Sequence, residues 1–333
     1  MKSNFRLLIV ILIILSFPVG CNLISSSENT QNDFTDITIA LDWYPWSNHA
    51  GIFVAKEKGY YSENQLRVSI YTPSNPSNIL QTVGSGKDDF GISYQTDVLM
   101  AKAEGVPVTS IAAIVQHPLN SIMTLKESGI TRPYHLEGKR IGYPGIPTDE
   151  LLLKTMIEYD GGNIENIKLM NVGYDLVTAL ISKKVDAIIG AYWVHESFII
   201  EEQGYEINIL KMEDWGVPDF YELVIVTNEK TVDNKPELIN KFINSTFKGY
   251  EYSINNPKEA INIMSSINPE IDIELETAGI KLLLPLWKKE NGQFGWQDKS
   301  KWEKLAIWML EQQLLNKPVN LDKAFTNQFV RLD

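Results

Sequence analysis

Aromatic and polar side chains crowd one short segment near the start of the chain. Asp42-Trp43-Tyr44-Pro45-Trp46 follows the apolar run Ile37–Leu41. The run predicts a buried parallel strand, and the residues from Asn48 to the stop at Gly59 predict a helix. Rings that stack, together with a carboxylate, an amide and His49, suit the binding of a flat polar molecule. A surface corner around a buried tryptophan is the alternative interpretation.

Other segments of similar composition also follow predicted strands or cross between predicted sheets. Three follow strands: Ser93-Tyr94-Gln95, Tyr143–Thr148, and Ala191-Tyr192-Trp193 with Glu196. Two more are predicted crossings, Gln116-His117-Pro118 and Pro218–Glu222. Open α/β sheets bind ligands at the carboxyl ends of their strands, so we expect all of these segments to face one cleft. The candidate ligand-binding residues are Asp42, Trp43, Asn48, His49, Tyr94, Gln116, His117, Gly145, Thr148, Tyr192, Trp193, Glu196, Tyr221 and Glu222. Whether Trp46 points into the cleft is left open.

The candidate residues include no cluster of arginine or lysine. Small anions usually bind to arginine, although helix N-termini can hold them alone. A neutral or cationic nitrogen heterocycle fits better, because its ring can stack and its amine can donate to carboxylates.

Signatures of catalysis are absent from the sequence. There is no P-loop and no G-x-S-x-G segment, and the four histidines do not have zinc-site spacing. We therefore predict no metal, no cofactor and no catalytic residue. The chain reads as a binding protein rather than an enzyme.

The first residues predict export. Lys2 and Arg6 precede an uncharged stretch, Leu7–Phe17, that is too short to span a bilayer and suits a signal peptide over 1–20. Val19-Gly20-Cys21 resembles a bacterial lipobox, in which Cys21 is lipidated, and the serine-rich residues 21–35 read as a flexible tether. The net charge of −12 argues against nucleic acid as a partner.

The remaining chain predicts two α/β lobes. Strands and helices alternate over 36–116 and again over 117–227, and long helices follow from Pro236. Those helices need a sheet to cover, and the first sheet is the natural one. We expect 36–116 with 228–333 to form lobe 1 as a parallel sheet, 117–227 to form lobe 2, and two crossings, near Gln116–Pro118 and Phe220–Thr227, to form a hinge.

Several segments of the sequence together resemble a known family. The segments ALDWYPWSNHAGIFVAKEKGYY, GISYQTDVLMAKAEGVPV, KRIGYPGIPTDELLLKTM, VDAIIGAYWVHE and GVPDFYELVIVTNE occur in order. They look like the ThiY-type substrate-binding lipoproteins, which are receptors for thiamine pyrimidine precursors in ABC importers. The resemblance runs from Ile37 to Val330.

The resemblance implies a periplasmic-binding-protein type II fold, an ABC permease and ATPase as partners, and a lipid-anchored monomer on the extracytoplasmic face of the membrane. The implied ligand is N-formyl-4-amino-5-aminomethyl-2-methylpyrimidine or a close relative. Trp43, Tyr94 and Tyr192 would stack on it. Asp42, Asn48, Gln116 and Glu196 would contact its nitrogens, and Gly145 and Thr148 would hold a formyl oxygen or a phosphate.

The same superfamily contains sulfonate-binding proteins and the fungal enzyme that makes the thiamine pyrimidine. That enzyme needs a lysine where this chain has Ser93 and a histidine where it has Asp97. A Schiff base with pyridoxal phosphate requires an amine, which serine lacks. The family usually has asparagine at the position of Trp46, so ligand identity stays open, with riboflavin-type and sulfonate-type receptors as alternatives.

Overall fold

Two five-stranded sheets form the framework of the computed structural model, which describes residues 34–287 and 294–330. The first sheet contains β1 (Thr35–Ala40), β2 (Leu66–Tyr71), β3 (Phe90–Ser93), β4 (Val108–Val115) and β10 (Leu223–Asn228), in the order β2-β1-β3-β10-β4. The second contains β5 (Asn120–Leu125), β6 (Arg140–Tyr143), β7 (Lys168–Asn171), β8 (Ala187–Tyr192) and β9 (Ile207–Lys211), in the order β7-β6-β8-β5-β9. The predicted signal peptide, the lipobox with Cys21 and nearly all of the tether lie outside the described residues.

The helices alternate with the strands through both sheets, and long helices follow from Pro236, as the sequence predicts. The helices are α1 (Ala50–Glu57), α2 (Tyr60–Glu63), α3 (Ile79–Ser85), α4 (Gln95–Ala103), α5 (Pro147–Tyr159), α6 (Leu176–Ile181), α7 (Glu196–Glu202), α8 (Glu229–Asn234), α9 (Pro236–Asn255), α10 (Pro257–Ile267), α11 (Ile273–Leu283), α12 (Lys299–Glu311) and α13 (Leu321–Ala324). In the described part of the chain, no helix combines the length and the apolar character that crossing a membrane would require.

The last strand corrects the expected topology. We expected a parallel first sheet and assigned residues up to Thr227 to the second lobe, but β10 lies in the first sheet, antiparallel to both β3 and β4. The chain leaves the first sheet at Val115 and returns beside it, where Leu223 pairs with Val115. A strand that enters at the end where its neighbours exit must run against them.

The second sheet shows the same arrangement. β5 is antiparallel to β8 and β9, and Asn120 at its start pairs with Tyr192 at the end of β8. Both crossings therefore join the sheets at the carboxyl ends of their parallel strands. The loops that follow those strands are brought to the same place.

The late helices pack on the first sheet through close contacts. The Phe242 ring of α9 stacks on Phe90 of β3 with centroids 3.9 Å apart. A Cβ at Gly249 of α9 would lie 1.9 Å from the carbonyl oxygen of Gly51 in α1. The two helices α9 and α1 therefore approach each other at a point where no side chain fits. This packing fixes α1 and the aromatic loop before it.

Candidate functional site

A cavity lies where the two crossings and the strand ends meet, and it encloses about 440 Å³ of empty space, counting the part open to solvent. Residues from both sheets line it: Trp43, Trp46, Tyr94, Thr96, Asn120, Ile146, Thr148, Asp149, Leu152, Gly190, Tyr192, Glu196, Phe220 and Glu222. A volume of this size is within the range of small-molecule sites.

Aromatic rings form one wall of the cavity. Trp43 is buried, and its ring centroid lies 4.3 Å from that of Tyr174, which follows β7 in the second sheet. Trp46 stacks on His195 with centroids 3.3 Å apart and an angle of 14° between the planes. The rings of the loop after β1 thus contact residues that follow strands of the second sheet, and both tryptophans line the cavity.

A buried carboxylate fixes one of the lining tyrosines. The Tyr94 hydroxyl donates to Asp42 Oδ2 at 3.1 Å, and His49 Nε2 lies 2.7 Å from Asp42 Oδ1. Burial and the nearby acids hold the pKa of Tyr94 well above its usual range. Asp42 and His49 do not line the cavity themselves, and they orient Tyr94 from outside it.

Glu222 joins the two crossings. The backbone N–H groups of Leu119 and Asn120 donate to its Oε2 at 2.6 and 3.0 Å. The side chain is buried and lines the cavity. Burial raises its pKa to about 7, because the charged carboxylate loses hydration.

Asp149 is held on one side only. Asn120 Nδ2 donates to Asp149 Oδ1 at 2.6 Å, while Asn120 Oδ1 accepts from the Gly190 N–H at 2.9 Å. Asp149 Oδ2 is buried and has no hydrogen-bond partner among residues 34–287 and 294–330. Burial raises the pKa of Asp149 well above its ordinary value.

A third acid, Glu196, completes the polar lining. Its Oε2 accepts from the Tyr192 N–H at 2.8 Å, and burial raises its pKa to about 7. Thr148 also lines the cavity, and its hydroxyl donates to Asp97. Among the described residues, the cavity lining carries three carboxyl groups and neither lysine nor arginine. Such a site suits ligands that donate hydrogen bonds or carry positive charge rather than anions.

The fourteen candidate ligand-binding residues fall into two groups, those that line the cavity and those that do not. Six of them line the cavity: Trp43, Tyr94, Thr148, Tyr192, Glu196 and Glu222. The other eight lie outside the lining: Asp42, Asn48, His49, Gln116, His117, Gly145, Trp193 and Tyr221.

Several of the eight hold the crossings instead. His117 is exposed and pairs with Asp219 at 2.8 Å, and the Trp193 indole donates to the Pro118 carbonyl. The Tyr221 hydroxyl accepts from the Asp298 N–H. These contacts stabilise the connections between the sheets, and they explain why residues of similar type do not all reach the cavity.

The lining also contains residues that the sequence did not single out. Asp149 lies in the first turn of α5, where the helix dipole favours an acid in any case, and Asn120 carries no signal in the sequence. Thr96, Leu152 and Gly190 were likewise not predicted. Extending the segment after β6 by one residue would have included Asp149, whereas Asn120 is revealed only by its hydrogen bonds.

We expect the free energy of unfolding of the ligand-free protein to fall as pH rises from about 4.5 to about 7. Glu196 and Glu222 have folded pKa values of about 7, raised from 4.5, so the folded protein keeps protons that the unfolded chain loses. Each carboxyl contributes up to about 3 kcal/mol to this fall. Denaturant unfolding at pH 5, 6, 7 and 8 measures it.

Other acids change the free energy of unfolding in the same direction or only at a lower pH. The pKa values of Asp97 and Asp149 are also raised by burial, whereas those of Asp160 and Asp186, beside arginines, are lowered and act below pH 4. A double variant, E196Q with E222Q, should flatten the profile. Stability that is constant or rises over this range would contradict the raised pKa values of these buried acids.

The two sheets, their antiparallel crossing strands and the cavity between them define the periplasmic-binding-protein fold. A solved structure of this kind, the ligand-binding component of an ABC-type import system from Staphylococcus aureus with zinc bound, is 16% identical, with a TM-score of 0.67 over 89% of this chain and 97% of that one. Within this fold, the chain belongs to the NMT1/THI5-like family, whose sequence profile matches residues 46–260.

Two relatives indicate what this family contains. The formylaminopyrimidine-binding protein of Halalkalibacterium halodurans is 36% identical over 98% of this chain and 99% of its own length. A 4-amino-5-hydroxymethyl-2-methylpyrimidine phosphate synthase of Saccharomyces cerevisiae is 32% identical over 72% of this chain and 73% of its own. The family thus contains both a binding protein and enzymes.

Proposed function

We propose that this protein is the extracytoplasmic substrate-binding protein of an ABC importer and that it binds a thiamine pyrimidine precursor, formylaminopyrimidine or a close relative. The cavity carries this proposal: within residues 34–287 and 294–330, rings and carboxyl groups line it, and no basic side chain does. The 36% identity to a formylaminopyrimidine-binding protein over nearly the whole chain supports it.

The lining residues suggest how the pyrimidine is held. Trp43, Tyr94 and Tyr192 offer rings for the two faces of the heterocycle, and Glu196 and Glu222 offer acceptors for its amine. Lobe 1 then comprises residues 36–116 with the chain from β10 onward, and lobe 2 the residues between. Closure of the lobes about the two crossings would convert binding into a surface that the permease recognises.

The chain acts as a receptor and not as an enzyme of the synthase kind. Ser93 stands in β3 where the synthase needs a lysine, and it is buried. A serine cannot form a Schiff base with pyridoxal phosphate. If mass spectrometry detects a product that the purified protein forms from the pyrimidine, this assignment is contradicted.

Isothermal titration calorimetry tests the ligand class directly. The ligands are formylaminopyrimidine, its deformylated amine, thiamine, riboflavin and taurine. We expect heat of binding with at least one of the two pyrimidines and none with taurine, since its sulfonate would meet no lysine or arginine among the described lining residues. Binding of riboflavin or taurine without either pyrimidine would favour the alternative receptor types.

Membrane attachment is a separate part of the proposal. It depends on Cys21, which follows the signal-peptide pattern of residues 1–20. The lipid on this cysteine would hold the protein, as a monomer, on the outer face of the cell membrane. Labelled palmitate should enter the wild-type protein in the membrane fraction, and C21S should abolish the label. Label that persists in C21S would contradict lipidation at this position.

A further inference from the structure

The carboxyl group of Asp149 has one oxygen that the protein holds and one that it does not. Asp149 is 3% exposed, and its Oδ1 accepts a hydrogen bond from Asn120 Nδ2 at 2.6 Å. Its Oδ2 is buried and has no partner within residues 34–287 and 294–330. Because Asp149 lines the cavity, a bound ligand is the natural partner for this second oxygen.

The neighbouring residues decide which oxygen is left for the ligand. The Gly190 N–H donates to Asn120 Oδ1 at 2.9 Å, so the Asn120 amide turns its nitrogen toward Asp149 Oδ1. A Cβ at Gly190, whose φ is +90°, would lie 2.7 Å from Pro144 and 3.2 Å from Asp149 Oδ2. The glycine therefore keeps the space beside Oδ2 open, and Oδ2 is the oxygen that a ligand can reach.

The groups around this carboxyl favour its neutral form. The ionisable groups whose charge acts on it are those of Asp97, Glu222 and Tyr94, all of them acids. No lysine or arginine is among the described residues that line the cavity. A buried carboxylate needs a cation or several donors to offset its lost hydration, and Asn120 supplies a single donor. Burial accordingly raises the pKa of Asp149 well above its ordinary value.

A neutral carboxyl group offers a donor as well as an acceptor. Because Oδ1 of Asp149 already accepts from Asn120, the proton belongs on Oδ2, which then acts as an O–H donor. Glu196 and Glu222 offer acceptors for the ligand amine, so Asp149 adds a donor to the same lining. The partner of Oδ2 is therefore an acceptor atom of the ligand.

We propose that Asp149 is a specificity-determining residue, which in its un-ionised form donates a hydrogen bond from Oδ2 to a neutral acceptor atom of the pyrimidine. The precursors carry two kinds of such atom: the ring nitrogens and, in the formylated compound, the formyl oxygen. This inference rests on the proposed function, since it assigns a role to one residue of the same cavity.

Two variants distinguish a donor from an acceptor at this position. Asp149→Asn keeps the acceptor for Asn120 and presents an N–H₂ group in place of the O–H, so we expect its affinity for formylaminopyrimidine to lie within about 3-fold of the wild type. Asp149→Leu is similar in size and has no polar atom, and we expect it to weaken binding by about 30-fold or more. Isothermal titration calorimetry at pH 7 measures both affinities, and denaturant unfolding checks that each variant is folded.

A control variant and a second ligand complete the experiment. Glu150→Gln removes a carboxyl group one residue along α5, at an exposed position, and should leave the affinity unchanged. The deformylated amine lacks the formyl oxygen. If D149L weakens both pyrimidines by a similar factor, a ring nitrogen accepts the hydrogen bond; if it weakens only the formylated compound, the formyl oxygen does. Either result supports the donor role.

Infrared difference spectroscopy observes the proton itself. The wild-type complex with formylaminopyrimidine should show the carbonyl band of an un-ionised carboxyl group that the D149N complex lacks. This measurement and the affinity of D149N test the inference even if D149L does not fold.

The outcomes separate this inference from the proposal beneath it. If neither pyrimidine binds the wild-type protein, the proposed function fails and the inference fails with it. If the wild type binds but D149N loses about 30-fold or more, Asp149 acts as an acceptor, and the donor role is wrong while the receptor assignment remains. Wild-type affinity in D149L, or a wild-type complex without the carboxyl band, would also overturn the donor role.

Discussion

Glu222→Ala is expected to lower the free energy of unfolding by about 3–5 kcal/mol and to abolish measurable binding of pyrimidine. The alanine removes the acceptor from the N–H groups of Leu119 and Asn120, both of which are buried. Each buried donor without a partner costs about 1–3 kcal/mol. The same change removes a lining carboxyl and loosens the point where the two crossings meet. Denaturant unfolding and calorimetry measure the two effects.

Glu222→Gln separates the hydrogen bonds from the charge. Its carbonyl can still accept from both N–H groups, so we expect stability within about 1 kcal/mol of the wild type at pH 6. At pH 8 we expect E222Q to be the more stable protein, because the wild-type carboxyl, with its pKa raised to about 7, is then buried and charged.

A surface glutamate provides the control for Glu222. Glu206 pairs with Lys126 at 3.3 Å, and its side chain is 79% exposed. E206A should change stability by less than about 1 kcal/mol, as exposed ion pairs generally do. If E222A were as mild as E206A, Glu222 would not be holding the two crossings together.

Trp43→Ala is expected to weaken pyrimidine binding by about 3 kcal/mol, which is more than 100-fold in the dissociation constant. Trp43 lines the cavity and is also buried in an apolar cluster with Leu176 of α6 and Ala191 of β8. Its loss removes a stacking surface and the contact between the loop after β1 and this cluster. Calorimetry with the better of the two pyrimidines measures the change.

Two further tryptophan variants identify the cause. Trp43→Phe keeps a ring and should recover most of the affinity. Trp308→Ala removes a half-buried ring on α12, outside the lining, and should lower the midpoint of thermal unfolding without changing affinity. A W43A protein that binds as the wild type does would show that the ligand does not stack on this ring.

The sequence by itself determined the local elements and the chemical character of the site. Apolar runs such as Val108–Val115 are buried along their whole length, so they read as strands whatever their neighbours. The aromatic loop after β1 and the segments before α4 and α7 follow strands, and the ends of parallel strands meet in this fold. The type of lining was predictable for the same reason, because rings and acids without arginine already mark these segments.

Only the tertiary structure decided which sheet a strand joins and which side chains reach the cavity. The residues of β10 read as a buried strand in either sheet, and their pairing with β3 and β4 places them in the first. Asn120 and Asp149 are 29 positions apart and meet through a hydrogen bond that no local pattern encodes. Local propensity acts within a few residues, whereas strand pairing and the fate of a buried polar atom depend on partners that the folded chain brings from far along the sequence.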